Sequence, residues 1–570
     1  MHEQALTVMP SHFTAHWLAP LLLLPALATA SASSPEQASN PLVDQQRRLW
    51  DDTERQQRLR ELQRQPAAAS QDTPALATPR SPAHPEHCWP VQGLKLTGQR
   101  LLDAQTLQHS AQPWLSTCMS IEAINGLLAA LTVRYVEAGL IAARPYVATV
   151  PQPGQALHVQ IFEGIVEAIE LTGADLPLSL ANAFPGMIGQ PLRLSDLENG
   201  LDQLNRLRSF DLQVDIHPGD TEGGTRLVLT PRNLPTRWQV ASVVDNLGRD
   251  TSGRHNGSLN LAMDSPLALN DFFSLGAGKT LDGQPGYNRQ YSLYYQIPHG
   301  RWKLDLSASR LRSRSALPNG HQFTQSHTSL GLKLDRRLWR NQHTLLNASL
   351  RLGQRSTDNR YERVSLRGMD LTIVEAGLDV VQFQGPRTVA AYLGISHGLG
   401  WLGADQRQPS YAAVAAAQPR FEKYQANFMQ STWLAALEQN WRWQSELSLQ
   451  YSPDPLPDSE QLRLAGSSQV RGFRLDSQPM SRGAVLRNSL STPRTVAPGL
   501  MLTPQASLDM GWGQHSYALR QTQRAVGTSL GATLAWRDGE LAMHYQRGLA
   551  RSASSGLEPG FWEMALTQRF

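Results

Sequence analysis

The chain has 570 residues, 52 basic and 48 acidic side chains, and a formal net charge of +4. Such a length suggests two to four domains, and so small a charge argues against a dedicated nucleic-acid binder. Mean hydropathy is −0.36, and past residue 30 no apolar run approaches the roughly 18 residues of a spanning helix. A helical inner-membrane protein is therefore excluded, while a transmembrane β-barrel stays open, because its strands are apolar on one face only.

In chain order, an apolar stretch from Trp17 to Leu27 is followed by the small-x-small sites Ala26-Leu27-Ala28 and Ala28-Thr29-Ala30. This pattern predicts a secretory signal over residues 1–30, although its leading segment carries His2, His12 and His16 in place of Lys or Arg. Export implies an oxidising compartment. The chain has two cysteines, Cys88 and Cys118. Their pairing is the expectation there, and it would close a loop of about 30 residues at a gain of about 3–4 kcal/mol; two buried thiols are the alternative. Residues 44–65 contain no Gly or Pro and carry charges on every side. They predict a helix with no core face, about 33 Å long, that must lie in a solvated place. Residues 66–85 are rich in Pro, Ala, Ser and Thr and read as an extended linker.

Two small modules come next, over 86–163 and 164–232. The first reads as a strand over Val91–Leu96, helices over Leu107–Leu115 and Ile121–Ala138, and strands over Tyr146–Thr149 and Leu157–Phe162. The same order recurs as a strand over Val166–Leu171, helices over Leu178–Phe184 and Leu194–Ser209, and strands over Leu212–Ile216 and Arg226–Leu229. Repetition of one pattern marks tandem α+β units.

From residue 233 onward the helical period disappears and period-2 alternation takes over. Trp302, Leu304, Leu306 and Ala308 alternate with Lys303, Asp305, Ser307 and Ser309. Leu330, Leu332 and Leu334 behave alike, as do Leu530, Ala532, Leu534 and Trp536. A soluble sandwich or a membrane barrel would fit. Runs of about 8–11 residues match a membrane strand better than the soluble mode of about 5–6. Aromatic residues at or near strand ends (Tyr291, Tyr295, Trp302, Trp441, Trp536, Trp562) suit interfacial girdles. An alternating segment closing on Phe570 suits a final barrel strand. Roughly 340 residues, at about 21 per strand and connection, predict about 16 antiparallel strands over 233–570.

Several motifs resemble catalytic ones without their context. Gly394–Gly398 and Gly527–Gly531 both match G-x-S-x-G, but each lies within alternation with no helix after it, so neither can form a nucleophile elbow. Gly278-Lys279-Thr280 lacks the first glycine of a phosphate loop, because Phe273 occupies it. His84, His87 and Cys88 have no second ligand pair, which speaks against a metal site. The expectation is a protein that is not an enzyme and needs no cofactor.

This organisation resembles the two-partner secretion transporters, the ShlB/FhaC/HecB-type haemolysin secretion and activation proteins, with the two modules similar to POTRA domains. The likeness rests on local motifs as well. Glu163-Gly164 resembles the family's module junction. Asp245-Asn246, Gly248 and Thr251–Arg254 resemble its opening barrel segment, and Leu269-Asn270-Asp271 resembles its next strand pair. Leu456–Gln461 with Val470-Arg471-Gly472-Phe473 after it resembles the long loop whose V-R-G-[FY] tip folds back into the barrel. Asp509 and Gly511 match part of an F-x-D-x-G strand motif. Ser507 replaces its aromatic, Ala465 stands at a usual glycine, and Gln469 precedes the tip where Ser is common.

The resemblance implies an outer-membrane translocator with its POTRA domains in the periplasm and lipid around its barrel. Its partner would be a large secreted exoprotein with an N-terminal secretion domain, and nucleic acid is not implied. Cys88 and Cys118 sit where the family often has a bridged pair. Arg471, shielded in the lumen, needs an acceptor that suits its planar fork, and the resemblance makes Asp509 that partner. The pair would either latch the loop or serve barrel stability alone. The polar helix over 44–65 would be a plug. A barrel-assembly factor and a diffusion porin are the rival readings.

Overall fold

The computed structural model describes residues 88–570 apart from 174, 234–235, 284, 318–319, 342, 406–416, 437, 467–468, 475–478, 515–521 and 553–556. The signal expected over 1–30, the polar helix over 44–65, the linker over 66–85, and His84 and His87 lie outside the described residues. Among the described residues no helix is long and apolar enough to cross a membrane.

The first module comprises β1 (Trp89–Thr97), α1 (Ala104–Ala111), β2 (Cys118–Met119), α2 (Ile121–Glu137), β3 (Arg144–Val147) and β4 (Gln155–Phe162). Asp103 and Ser120 start the two helices by accepting from the amides of Thr106 and Ala123, which would otherwise lack partners in the first turn. The sheet order is β2-β1-β4-β3. Both helices bury one stripe against it around Leu107, Leu127, Leu131 and Tyr135, facing Leu157 and Ile161. The two-residue strand β2 had no signal in the periodicity. It exists because Cys88 and Cys118 are disulfide-bonded at a Cα separation of 5.4 Å, which sets Trp89 opposite Met119.

Glu163 and Gly164 join the modules. Glu163 Oε1 accepts from the amides of Arg100 and Leu101 at 2.8 and 2.9 Å and from the Tyr135 hydroxyl at 3.0 Å. Burial, reinforced by the Glu163 carboxylate, holds the Tyr135 phenol above its ordinary value. Gly164 has φ +74° and lies against Ala142 with no room for a Cβ, so the chain turns there only with glycine.

The second module comprises β5 (Ile165–Leu171), α3 (Leu180–Ala183), α4 (Leu194–Asn205), β6 (Asp211–Pro218) and β7 (Gly224–Asn233), in sheet order β5-β7-β6. Val166, Leu192, Leu204, Leu227 and Leu229 form its centre. The expected helix over Leu178–Phe184 is a single turn, which stops before Pro185.

The remainder is a closed barrel running from strand Trp238–Asp245 to strand Phe561–Arg569. Arg482–Ser491 and Arg494–Ala497 both pair with Leu500–Gln514 and are halves of one interrupted strand. The barrel therefore has sixteen strands. An even number lets the first and last run antiparallel, and they do, from Asp245 opposite Ala565 to Ala241 opposite Arg569. Leu306 opposite Leu332 points outward, whereas Asp305 opposite Lys333 points into the lumen. The strands exceed the expected 8–11 residues: Val364–Gln384 has 21 and Gln322–Arg340 has 19. Alternation reports the lipid-facing belt, and pairing continues past it on both sides. Tyr291 accordingly lies in mid-strand, not at an end.

The second module is bound to the barrel turns on one side. Asn270, at φ +60°, donates to the Ser179 carbonyl at 2.7 Å and accepts from the Ser179 amide at 2.8 Å. Asp202 accepts from Arg340 at 2.7 Å and Arg337 at 3.2 Å, and Asp196 from Arg301 at 2.7 Å. Three successive turns on one side of the barrel thus touch one module.

Candidate functional site

The connection over 452–481 leaves the barrel on the side away from the second module and folds back into the lumen. It opens with a 3-10 turn at Asp458–Glu460 and narrows to a hairpin in which Leu462–Arg463 pairs with Pro479–Met480. Leu462, Leu464, Val470, Phe473 and Met480 pack together against Val485 and Ala525 of the wall. The connection therefore has an apolar core of its own, as a docked element would.

Arg471 lies in the hairpin and is 7% exposed, and Asp509 in the middle of Leu500–Gln514 is fully buried. Arg471 Nε and Nη2 reach the two carboxylate oxygens of Asp509 at 2.6 Å each. The Arg471 amide donates to Oδ2 at 3.1 Å, and Nη2 also reaches Ser489 Oγ at 3.1 Å. Leu508 and Met510, the neighbours of Asp509, are exposed to the outside. Period-2 geometry then puts Asp509 and Gly511 inside. Fork and carboxylate meet two-pronged, which fixes orientation as well as distance.

The rest of the V-R-G-F motif is seated on bare backbone. Gly472, at φ +95°, donates to Gln546 Oε1 at 3.0 Å and approaches the backbone of Arg547 and Gly548 with no room for a Cβ. A Cβ at Gly548 would meet the Phe473 ring, one at Gly511 would meet Leu464 and Val470, and one at Gly527 would run into the Arg471 carbonyl. Gly527 belongs to one of the two G-x-S-x-G matches; both lie within barrel strands, Arg387–Leu399 and Thr522–Trp536. Ser507, small where an aromatic was expected, is buried and donates to the Ser529 carbonyl at 3.3 Å.

A second set of contacts centres on Glu460 of the Leu456–Gln461 motif, whose partners nothing in the sequence indicated. Glu460 is 1% exposed. Its carboxylate pairs with Lys423 Nζ at 2.6 Å and with Arg355. Gln450 donates to the Glu460 carbonyl at 3.0 Å. The three partners sit on strands Thr344–Tyr361, Glu422–Ala436 and Gln439–Tyr451.

The remaining motifs also acquire physical roles. Asn246 copies a strand neighbour at the barrel seam, donating to the Trp562 carbonyl and accepting from the Met564 amide, both at 2.9 Å. Asp245 accepts from the Leu247 amide at 2.9 Å, and Gly253 turns the chain at φ +95°. Asp271 accepts from the Tyr295 hydroxyl at 2.7 Å.

A closed sixteen-strand barrel with an apolar outside, two α+β modules against its turns on one side and a loop docked inside it by an arginine fork define a modular β-barrel membrane protein. Sequence similarity gives the family. Residues 223–534 match the haemolysin secretion/activation protein ShlB/FhaC/HecB model, residues 89–164 the ShlB-type POTRA domain and residues 165–218 a further POTRA domain. The chain is 31% identical over 551 residues to the hemolysin transporter protein HpmB of Proteus mirabilis, covering 93% of this chain and 94% of that one. It is 32% identical over 486 residues to the hemolysin transporter protein ShlB of Serratia marcescens, covering 83% and 85%. The solved structure of CdiB from Escherichia coli shares the fold at a TM-score of 0.80 and 24% identity, covering 93% of this chain and 98% of that one. The protein belongs to the ShlB/FhaC/HecB family and is an outer-membrane transporter of two-partner secretion.

Proposed function

We propose that this protein captures one large exoprotein, unfolded, in the periplasm through an N-terminal secretion domain of that partner, and passes it outward through the barrel. The two-pronged seat of Arg471 on Asp509 inside the lumen carries the reading, because it fixes the loop in one defined position within the barrel. Substrate capture proceeds by strand addition to a module edge, where backbone groups bind extended polypeptide. Arg144–Val147 in the first module and Asp211–Pro218 in the second are edge strands that support it. The segment 44–65 acts as a plug that leaves, and the loop carrying Arg471 then rearranges. Folding of the substrate outside draws the chain outward.

The family is one of secretion and activation proteins, and export of a haemolysin-like or adhesin-like partner in an activated form fits it. A comparison of culture supernatants and outer-membrane proteomes with and without the gene tests the function. Loss of one large secreted protein with other barrels unchanged is expected. A broad fall in outer-membrane barrels would instead indicate an assembly factor, and no change would favour a diffusion channel. Substitution Arg471→Ala is expected to abolish or sharply reduce secretion. Wild-type secretion by a well-folded variant would leave the ion pair a purely structural role.

A further inference from the structure

Two of the buried ion contacts that hold the lumenal loop have opposite polarity. At the tip the loop supplies the cation, Arg471, and the wall the carboxylate, Asp509. At the root the loop supplies the carboxylate, Glu460, and the wall two cations, Arg355 and Lys423. The two wall cations are not neighbours, since strands Val364–Gln384 and Arg387–Leu399 lie between theirs. One buried carboxylate therefore ties the root to two separate parts of the barrel.

The packing divides in the same way. Leu456, at the start of the root, is fully buried against Leu371, Ile373 and Phe421. The hairpin from Leu462 to Met480 belongs to a different cluster, on the wall around Val485 and Ala525. The two seats also differ in texture. The tip lies directly on Gly511, Gly527 and Gly548, and apart from its ion pair it is held by hydrogen bonds to Ser489, Gln546, Glu558 and Asn246 and by packing on Val485 and Ala525. The root is interlocked by side chains and would have to unpack Leu456 and leave two wall cations without Glu460. Desolvated charges resist separation of that kind.

We infer that Glu460 is a positioning residue that keeps segment 456–461 fixed on the wall while the paired residues Leu462–Arg463 and Pro479–Met480 undock together with the tip at Val470–Phe473. The inference rests on the proposed movement of the loop and adds the part that does not move. It also gives the buried acidic residue of the Leu456–Gln461 motif a task separate from that of Arg471.

The described structure has no free cysteine, so single cysteines report local opening cleanly. Ser459→Cys marks the root and Ala465→Cys the hairpin; both positions are buried at rest. Whole cells carrying the full-length transporter are treated with a membrane-impermeant maleimide, and labelling is normalised to the amount of barrel in the outer membrane. Adding Glu460→Gln is expected to raise the rate at position 459 about tenfold and leave 465 unchanged, whereas Arg471→Ala raises 465 about tenfold and leaves 459 unchanged. Lys423→Met, which alters the wall instead of the loop, repeats the first pattern more weakly. If either loop variant opens both positions together, the two halves are one unit and the inference is overturned. No change at 459 in Glu460→Gln overturns it as well. No change at 465 in Arg471→Ala removes the movable tip itself, and with it the reading on which the inference stands.

Discussion

Gly527 offers a direct test of whether the tip is seated where the structure puts it. The residue lies in strand Thr522–Trp536 opposite Asp509, and a methyl group there would run into the Arg471 carbonyl. That carbonyl is backbone and cannot rotate away as a side chain would, so Gly527→Ala must move the tip off the wall. Overpacking of a fitted contact costs about 1–3 kcal/mol. At about 2 kcal/mol, and with the undocked loop unaffected, the docked-to-undocked ratio falls about 30-fold. Gly353 supplies the control. It sits in strand Thr344–Tyr361, and the nearest atom to a Cβ there is 3.9 Å away, which is ordinary contact. Labelling of Ala465→Cys in the Gly527→Ala background should therefore rise by about 10- to 30-fold, while Gly353→Ala leaves it unchanged. Equal labelling in the two backgrounds would refute the seat.

Arg471→Lys keeps the charge but cannot occupy both carboxylate oxygens of Asp509, so secretion should fall below about one tenth of the wild-type level; supernatant levels measure this, and unchanged secretion would show that charge alone holds the tip. Reduction of the Cys88–Cys118 bond should remove about 2–4 kcal/mol from the first module. Its melting transition would then drop by at least about 8 °C, with the barrel transition unmoved in calorimetry. Tyr135 makes the first module sensitive to alkali. Its phenol is raised above the ordinary 10.0, chiefly by burial and then by Glu163. A group raised in the folded state contributes stability fully below its unfolded value and loses it as pH climbs through the folded one. Urea midpoints of the module should thus hold up to about pH 10 and decline above it, and Tyr135→Phe, though less stable at neutral pH, should lack the decline.

The two modules and the barrel were legible because their signals are local. Alternation at Trp302–Ser309 needs only a water-filled inside and a lipid outside, and the repeated strand and helix runs of the modules are each readable within a few residues. The loop tip and Asp509 came through motif resemblance, with no periodicity behind them. Strand ends were not legible: pairing in Val364–Gln384 runs well past the belt that makes the alternation visible. In the sequence Gly527 is a small wall residue, and nothing in its own neighbourhood says that a carbonyl from 56 positions earlier lies on it.

The residues by themselves thus determined which faces are wet and which are greasy, that a strand-and-helix unit repeats, and that two cysteines in an exported chain would pair. Only the closed barrel decided which wet residues meet. Arg471 and Asp509 are 38 positions apart, and Arg355 and Glu460 are 105. Alternation assigns a side chain to the lumen but carries no information on height or azimuth within it. Those two coordinates come from strand register and closure, which are properties of the whole ring.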